Sequence, residues 1–331
     1  MKQIQAPRGT KDIIKENQRY LKYVNSAISR LADKFTFNKI DTPIFEYSEI
    51  YTKGIGTNTD ITEKELFAVS RQNGSFEKEE GKSTFSLRPE GTAGVVRAYI
   101  ENGMQSWTQP VKLWYEGPMF RYDKPQKGRF REFRQAGFEI IGDSSEAIDA
   151  LIILIAWEIF NKIGLKNEIT LELNSVGCQT CRVKIKKILS GYFNQNKSKL
   201  CADCKNRMKN NPLRVLDCKN GDCRIIIQKA PQLLDLLDNE CKKHFQGVLE
   251  YLDEMEIPYD INPYLVRGLD YYTKTTFEIL LKGDEKRQNS LGGGGRYDNL
   301  IELFGGQKTP AVGFALGIDR IIELLQEKKI E

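Results

Sequence analysis

Residues 111–142, VKLWYEGPMFRYDKPQKGRFREFRQAGFEIIG, decide how the chain folds. From Val111 to Arg121 the apolar content and the aromatics Trp114, Tyr115 and Phe120 predict a strand, with Gly117-Pro118 marking a bulge or an edge. Arg121 ends it. The return strand, Phe130 to Ile141, has a period of two that places Arg131, Phe133, Gln135, Gly137, Glu139 and Ile141 on one face. At roughly 3.3 Å per residue, Gln135 and Glu139 stand about 13 Å apart with Gly137 between them, which reads as a pocket floor. The joining loop, Tyr122 to Arg129, sets Lys124, Lys127 and Arg129 beside the single acid Asp123 and should attract phosphate oxygens. An amide, a carboxylate and a fixed arginine around a glycine gap suit a ligand with an ammonium end and a phosphate end. The plain alternative is a solvated hairpin with its polar face to water.

At 331 residues, 40% apolar and 10% aromatic, the chain can bury a full core and support a second, smaller domain. No apolar run is long enough for a membrane span, and MKQIQAPRGTKDI carries no signal-peptide core, so a cytoplasmic location is expected. A net charge of +5 permits a nucleic-acid partner without requiring one. The lone histidine, His244, excludes H-E-x-x-H zinc sites and multi-histidine metal clusters, and with them most triad chemistry. Chemistry must come from Arg, Lys, Glu, Asp, Tyr or Cys.

Outward from the hairpin, Glu16 to Phe35 has helical spacing at Leu21, Val24, Ile28, Leu31 and Ala32. Lys39 to Glu46, KIDTPIFE, reads as a strand interrupted at an edge by Pro43. Thr84 to Leu87 is a further strand running into RPEGTAG, where Gly91 permits a tight turn that aims Glu90 and Thr92 the same way ahead of a helix over Ala93 to Glu101. That pair could hold an α-ammonium group, or Thr92 could simply cap the helix beside a solvated Glu90. Ser144 to Ile163 reads as an apolar helix closed by Gly164, and Ile169 to Leu173 as a strand. From about Ser175 to Tyr259 Lys, Asn and Cys increase, and the segment reads as an inserted module. Within it, Cys178-x-x-Cys181 and Cys201-x-x-Cys204 have a zinc-ribbon spacing; free thiols are the alternative, and disulfides are not expected in the cytosol. YLVRGLDYYTKTTFEILL, Tyr264 to Leu281, puts Arg267, Asp270, Tyr271 and Tyr272 on a short bend, suited to charge developing on a phosphate or to an Arg-Asp pair capping a core. SLGGGGRYD, Ser290 to Asp298, reads as a glycine loop over which a ligand approaches the backbone. Finally, a strand over Ala311 to Ala315 leads through Gly317 into a helix with Arg320 in its first turn, which suggests an anionic partner.

FRYDKPQKGRFREF resembles the second signature motif of class II aminoacyl-tRNA synthetases, and KIDTPIFE and the segment around Arg320 resemble the first and third. PQKGR followed by Q-x-G-x-E, RPEGT, NPLRVLDCK, VRGLDYYT and the glycine run resemble histidyl-tRNA synthetases in particular. The resemblance implies an α+β fold, a class II antiparallel sheet flanked by helices with a mainly helical insertion: catalytic residues 1–174 and 259–331 around an insertion at 175–258. It implies a ligase that activates L-histidine with ATP and Mg²⁺ and transfers it to tRNA(His), working as a homodimer. In that reading Arg121 and Arg267 serve the α-phosphate; Arg121, Asp123 and Arg320 hold ATP; Glu90, Gly91, Thr92 and Gln135 receive the ammonium; and Glu139 with Tyr271 and Tyr272 reads the imidazole. A structural zinc on Cys178, Cys181, Cys201 and Cys204 is an additional expectation from spacing. Family members continue past the third motif into an anticodon-binding domain, where this chain ends. A catalytic fragment is therefore one expectation, and the regulatory paralogue that serves the first phosphoribosyltransferase of histidine biosynthesis is another. A zinc-ribbon nucleic-acid module would explain only the insertion.

Overall fold

In the computed structural model, which describes residues 3–57, 59–70, 85–126, 128–283 and 290–330, the chain opens with α1 (Glu16–Lys34), its inward side carrying the spacing read from sequence. There follow β1 (Asn38–Lys39), β2 (Phe45–Tyr47), α2 (Ser48–Ile55), β3 (Ala68–Val69), β4 (Phe85–Leu87), α3 (Thr92–Glu101), β5 (Val111–Phe120), β6 (Glu132–Ile141), α4 (Glu146–Lys162) and β7 (Ile169–Ser175). Four helices come next, α5 (Gln179–Gln195), α6 (Ala202–Asn210), α7 (Gly221–Ile227) and α8 (Asn239–Glu254). The chain closes with β8 (Asp260–Ile261), β9 (Thr273–Leu281), β10 (Ser290–Arg296), α9 (Leu300–Leu303), β11 (Ala311–Gly317) and α10 (Ile318–Glu327). Among the described residues no helix is long and apolar enough to cross a membrane.

Two expectations are corrected here. The single strand read over residues 39–46 is two: β1 pairs parallel with Leu113 and Trp114, whereas β2 pairs with β4 in a separate three-stranded sheet. Pro43, which has no N–H to give a ladder, falls in the gap. The glycine run is likewise not a loop. It forms β10, between β9 and β11, and a Cβ on Gly292 would meet Leu316 and the Ala315 carbonyl, so the missing side chains serve strand-to-strand approach.

The main sheet has the order β1-β5-β6-β11-β10-β9-β7-β8 and is antiparallel except at its two edge pairs. Residues directly opposite in such a ladder share a face, so its rows follow from the register. One row is Trp114, Phe138, Phe314, Gly294 and Phe277. The rings of Trp114 and Phe138, and of Phe138 and Phe314, stack at 6.2 and 5.2 Å, and this face is buried with apolar residues of α1, α4, α8 and α10. The next row, on the other face, is Tyr115, Gly137, Ala315, Gly293 and Glu278, followed by Leu113, Glu139, Gly313, Gly295 and Thr276. One face is thus aromatic packing, and the other is nearly bare backbone carrying a few polar side chains.

The helical segment does not build a core of its own. Ile185, Leu189, Phe193 and Val215 join one apolar cluster with Val95, Tyr99 and Leu113, and Phe245, Val248 and Leu252 of α8 join the core beneath the sheet. His244 is buried there, its Nε2 2.8 Å from Asp149 Oδ2, and Asp149 also pairs with the fully buried Arg296. The lone histidine is therefore an internal tie between α8 and α4.

Candidate active site

On the bare face, glycines make beds on which long side chains lie flat. A Cβ at Gly313 would overlap the Glu139 carboxylate, and one at Gly293 would meet the Arg267 guanidinium at 3.0 Å and the Phe277 carbonyl at 2.5 Å. At Gly137 and at Gly91 the Tyr115 ring occupies the space. Gly137 is therefore no open gap: Tyr115, its neighbour across β5 and β6, covers it.

Glu139 is fully buried. Thr92 Oγ1 donates to its Oε1 at 2.7 Å and Tyr297 Oη to its Oε2 at 2.6 Å. Burial pushes its carboxyl up from 4.5 to about 8. The hydroxyl paired with Glu139 belongs to Tyr297 instead of Tyr271 or Tyr272; those two rings meet at 4.7 Å with their planes tilted by 53°, and Tyr271 contacts Tyr297 edge-on at 5.8 Å. Burial also pushes the Tyr115, Tyr271 and Tyr297 phenols well up, so they stay neutral donors. Among the described residues, Tyr115 Oη, Gln135 Oε1 and Arg267 Nε at this face are buried without a hydrogen-bond partner. In a folded core such atoms cost about 1–3 kcal/mol each, which a polar ligand would remove.

The strand-to-helix turn reverses the roles of its acid and hydroxyl. Glu90, buried, accepts the N–H groups of Thr92 and Ala93, both at 2.9 Å, and so caps α3, while the Thr92 hydroxyl turns to Glu139. Tyr271 Oη lies 3.5 Å from Glu90 Oε2, which joins this turn to the Tyr271 bend. Gly91 accommodates the ring of Tyr115 beside them.

The arginines approach from three elements. Arg121 donates Nε to the Pro89 carbonyl at 2.9 Å and lies 5.2 Å over the Phe133 ring. Arg320, in α10, donates to the carbonyls of Gly128 at 2.8 Å and Ser290 at 2.6 Å, so it bridges the hairpin loop to the start of β10. Burial, and then the nearby Arg129 and Arg121 guanidinium groups, pull Arg320 down from its ordinary value, and Glu323 and Glu278 oppose them. Arg267 Nη1 pairs with Glu278 Oε1 at 2.7 Å. Like charges are thus crowded around Glu278 and around Glu65, which meets Arg129 at 3.5 Å. Asp123 is paired with Arg129, and Asp319 with Lys11 at 2.9 Å and the Arg134 N–H at 2.6 Å, so both acids are engaged by the protein. Lys124 is exposed; Lys127 and Thr84 lie outside the described residues.

Sequence reasoning missed Tyr115, Tyr297, Glu278 and the part played by the helical segment. Arg214 donates to the Gly268 carbonyl at 3.1 Å, Asn211 to Asp270 at 2.8 Å, and Arg182 to the carbonyls of Asp270 and Tyr272 at 2.8 and 3.0 Å. These three side chains hold the bend that presents Arg267. The residues 6–12 also bear on the site: the Gly9 carbonyl accepts from the Arg131 N–H at 2.7 Å, and Lys11 lies 4.1 Å over the Phe130 ring.

The cysteine expectation is corrected. Cys178 and Cys181 do not meet Cys201 and Cys204. Cys201 and Cys204 gather with Cys218 and Cys223, and Cys178 and Cys181 with Asp238 and Cys241, each group having its ligand atoms within 4.8 Å of one another. The reason is topological: each C-x-x-C pair starts a different helix, α5 or α6, and meets the start of another.

The family model described as histidyl-tRNA synthetase matches residues 9–321. A histidine–tRNA ligase of Desulforamulus reducens is 46% identical over 316 residues, covering 96% of this chain and 73% of the relative. One from Dehalococcoides mccartyi is 45% identical over 326 residues, covering 98% and 76%. The crystal structure of apo histidyl-tRNA synthetase from S. aureus superposes with a TM-score of 0.77 at 36% identity, over 99% of this chain and 75% of that one. The crystal structure of an ATP phosphoribosyltransferase regulatory subunit/histidyl-tRNA synthetase from Bacillus halodurans has a TM-score of 0.69 at 24% identity, over 96% of this chain and 82% of that one, which speaks for the fold alone.

Proposed function

Since this chain belongs to the histidyl-tRNA synthetase family, we propose that it activates L-histidine with ATP and transfers the histidyl group to the 3′ end of tRNA(His). The observation that carries the reading is the bare sheet face, with one buried carboxylate, three unpartnered polar atoms and crowded guanidinium groups at its edges. The catalytic part comprises residues 1–174 and 259–331, and 175–258 is an insertion that braces the Arg267 bend.

In the first step a carboxylate oxygen of histidine forms a bond to the α-phosphorus of ATP, the bridge to the β-phosphate breaks, and pyrophosphate leaves with the electron pair. No protein nucleophile takes part. Arg267 and Arg121 neutralise the α-phosphate oxygens, where preorganised charge lowers the barrier most. Arg320 and the hairpin loop with Asp123 and Arg129 hold the remainder of the nucleotide. Gln135, with Glu90 and the Gly91-Thr92 turn, receives the ammonium. Glu139, set by Thr92 and Tyr297, takes an imidazole N–H, with Tyr271 and Tyr272 lining the ring. The donors present fit Mg²⁺: Glu278 and Glu65 are hard-oxygen carboxylates among the phosphate-directed arginines, and the ion would screen the triphosphate charge. In the second step the terminal adenosine hydroxyl of the tRNA attacks the mixed anhydride and AMP leaves.

Histidine-dependent exchange of labelled pyrophosphate into ATP tests the reading. Robust exchange with L-histidine, and none with other amino acids, is expected. Histidine binding without exchange would point to a regulatory paralogue instead.

A homodimer is part of the proposal, through β2. Ile44, Phe45 and Tyr47 are 45, 56 and 48% exposed beside Pro43, an apolar edge in the first motif that a second copy would cover. Phe45→Glu is expected to convert a dimeric species to the monomer mass in light scattering. An unchanged mass would remove β2 from the interface. The cytoplasm is the compartment this function calls for.

A further inference from the structure

We propose that the helical segment holds two separate zinc ions, one on Cys201, Cys204, Cys218 and Cys223 and one on Cys178, Cys181, Cys241 and Asp238. The inference is independent of the aminoacylation reading, because none of these residues faces the bare sheet.

The geometry is that of a tetrahedral ligand set. At a Zn–S distance of about 2.3 Å, the sulfurs of a tetrahedron stand about 3.8 Å apart. In the first group Cys201 Sγ and Cys218 Sγ are 3.9 Å apart, in the second Cys181 Sγ and Cys241 Sγ are 3.9 Å apart, and neither group exceeds 4.8 Å. A disulfide would need sulfurs at about 2 Å, and all seven cysteines are free. Every cysteine of the chain is used, and each group brings half-buried and buried thiols together near helix starts beside an apolar cluster.

The surroundings are those of bound thiolates. Backbone N–H groups point at sulfur in both groups: Cys201 to Cys223 Sγ at 3.2 Å and Cys204 to Cys201 Sγ at 3.4 Å in one, and Cys178 to Cys241 Sγ at 3.3 Å and Asp238 to Cys181 Sγ at 3.2 Å in the other. Asp238 divides its carboxylate. Oδ1 accepts the Cys241 N–H at 2.8 Å and caps α8, while Oδ2 faces Cys181 Sγ at 3.1 Å and Cys178 Sγ at 3.4 Å. A soft thiolate set with one oxygen selects zinc over the hard cations that serve ATP. The first ion would tie α6 to the start of α7. The second would tie the start of α5 to the start of α8, closing the neck where the segment leaves β7 and returns toward the sheet.

The full chain, purified in reducing buffer from zinc-supplemented cells, is expected to contain two equivalents of zinc by mass spectrometry. Cys204→Ser and Cys181→Ser should each retain one, and the double variant none. Zinc-edge X-ray absorption of the unmodified chain, which needs no variant to fold, should average between three and four sulfurs per ion with a minority oxygen ligand. Fewer than two equivalents overturns the proposal. So does a single variant that keeps both ions or loses both, and so does an absorption spectrum dominated by oxygen and nitrogen.

Discussion

Arg267→Ala is expected to lower histidine-dependent pyrophosphate exchange by about 10³-fold or more, on the scale of losing a preorganised charge at the reacting centre. The side chain lies flat over Gly293, held by Glu278 at 2.7 Å with Nε left unpartnered. The pair is only 18 and 21% exposed, so the loss also leaves Glu278 unpaired, and unfolding midpoints measured alongside separate a weakened fold from lost chemistry. Arg267→Lys separates charge from shape. An ammonium restores the sign but cannot span two oxygens, so exchange should recover only in part. Near-normal exchange in Arg267→Ala, with unfolding midpoints unchanged, would remove Arg267 from the chemistry.

Glu139→Gln should produce opposite effects on stability and activity. Burial raises the Glu139 carboxyl from 4.5 to about 8, so the folded chain keeps a proton that the unfolded chain releases above 4.5. The associated stability is present below 4.5 and lost as pH rises through 8, amounting to about 5 kcal/mol. Glutamine cannot ionise. It keeps the shape but loses one acceptor for the Thr92 and Tyr297 hydroxyls, a cost of about 1–2 kcal/mol. Relative to the unmodified chain, Glu139→Gln should therefore be slightly less stable at pH 5 and about 3–4 kcal/mol more stable at pH 9, read by denaturant unfolding at each pH. Exchange with histidine should fall on the order of 10³-fold, because an imidazole N–H loses its buried carboxyl partner. A variant destabilised equally at both pH values would show that Glu139 is not held against ionisation.

Much of the fold was legible because hairpin chemistry is local. The period of two from Phe133 to Ile141 placed Gln135, Gly137 and Glu139 on one face, and β6 keeps that face. The helices α1, α3 and α4 follow their apolar spacing to within two residues at their starts and ends. What stayed hidden were contacts between distant segments. Nothing near Gly137 in sequence says that Tyr115 covers it, and nothing near Glu139 names Tyr297, 158 positions away. The glycine run was read as a loop because local propensity disfavours glycine in strands; burial between two neighbouring strands overrides that preference. The cysteines misled for a related reason. Adjacent C-x-x-C pairs suggest a shared ion, but a helix separates the two pairs and a third and fourth helix start supply the missing partners.

The flat-lying side chains have a consequence for how variants of this molecule are surveyed. Glu139 and Arg267 keep their orientation because Gly313 and Gly293 lack a methyl group, so the most damaging changes at these two positions add an atom where most surveys subtract one. A scan that truncates every residue to alanine would score the strands β10 and β11 as tolerant wherever it skipped glycine. The positions most intolerant of growth would then be ones that never touch histidine or nucleotide.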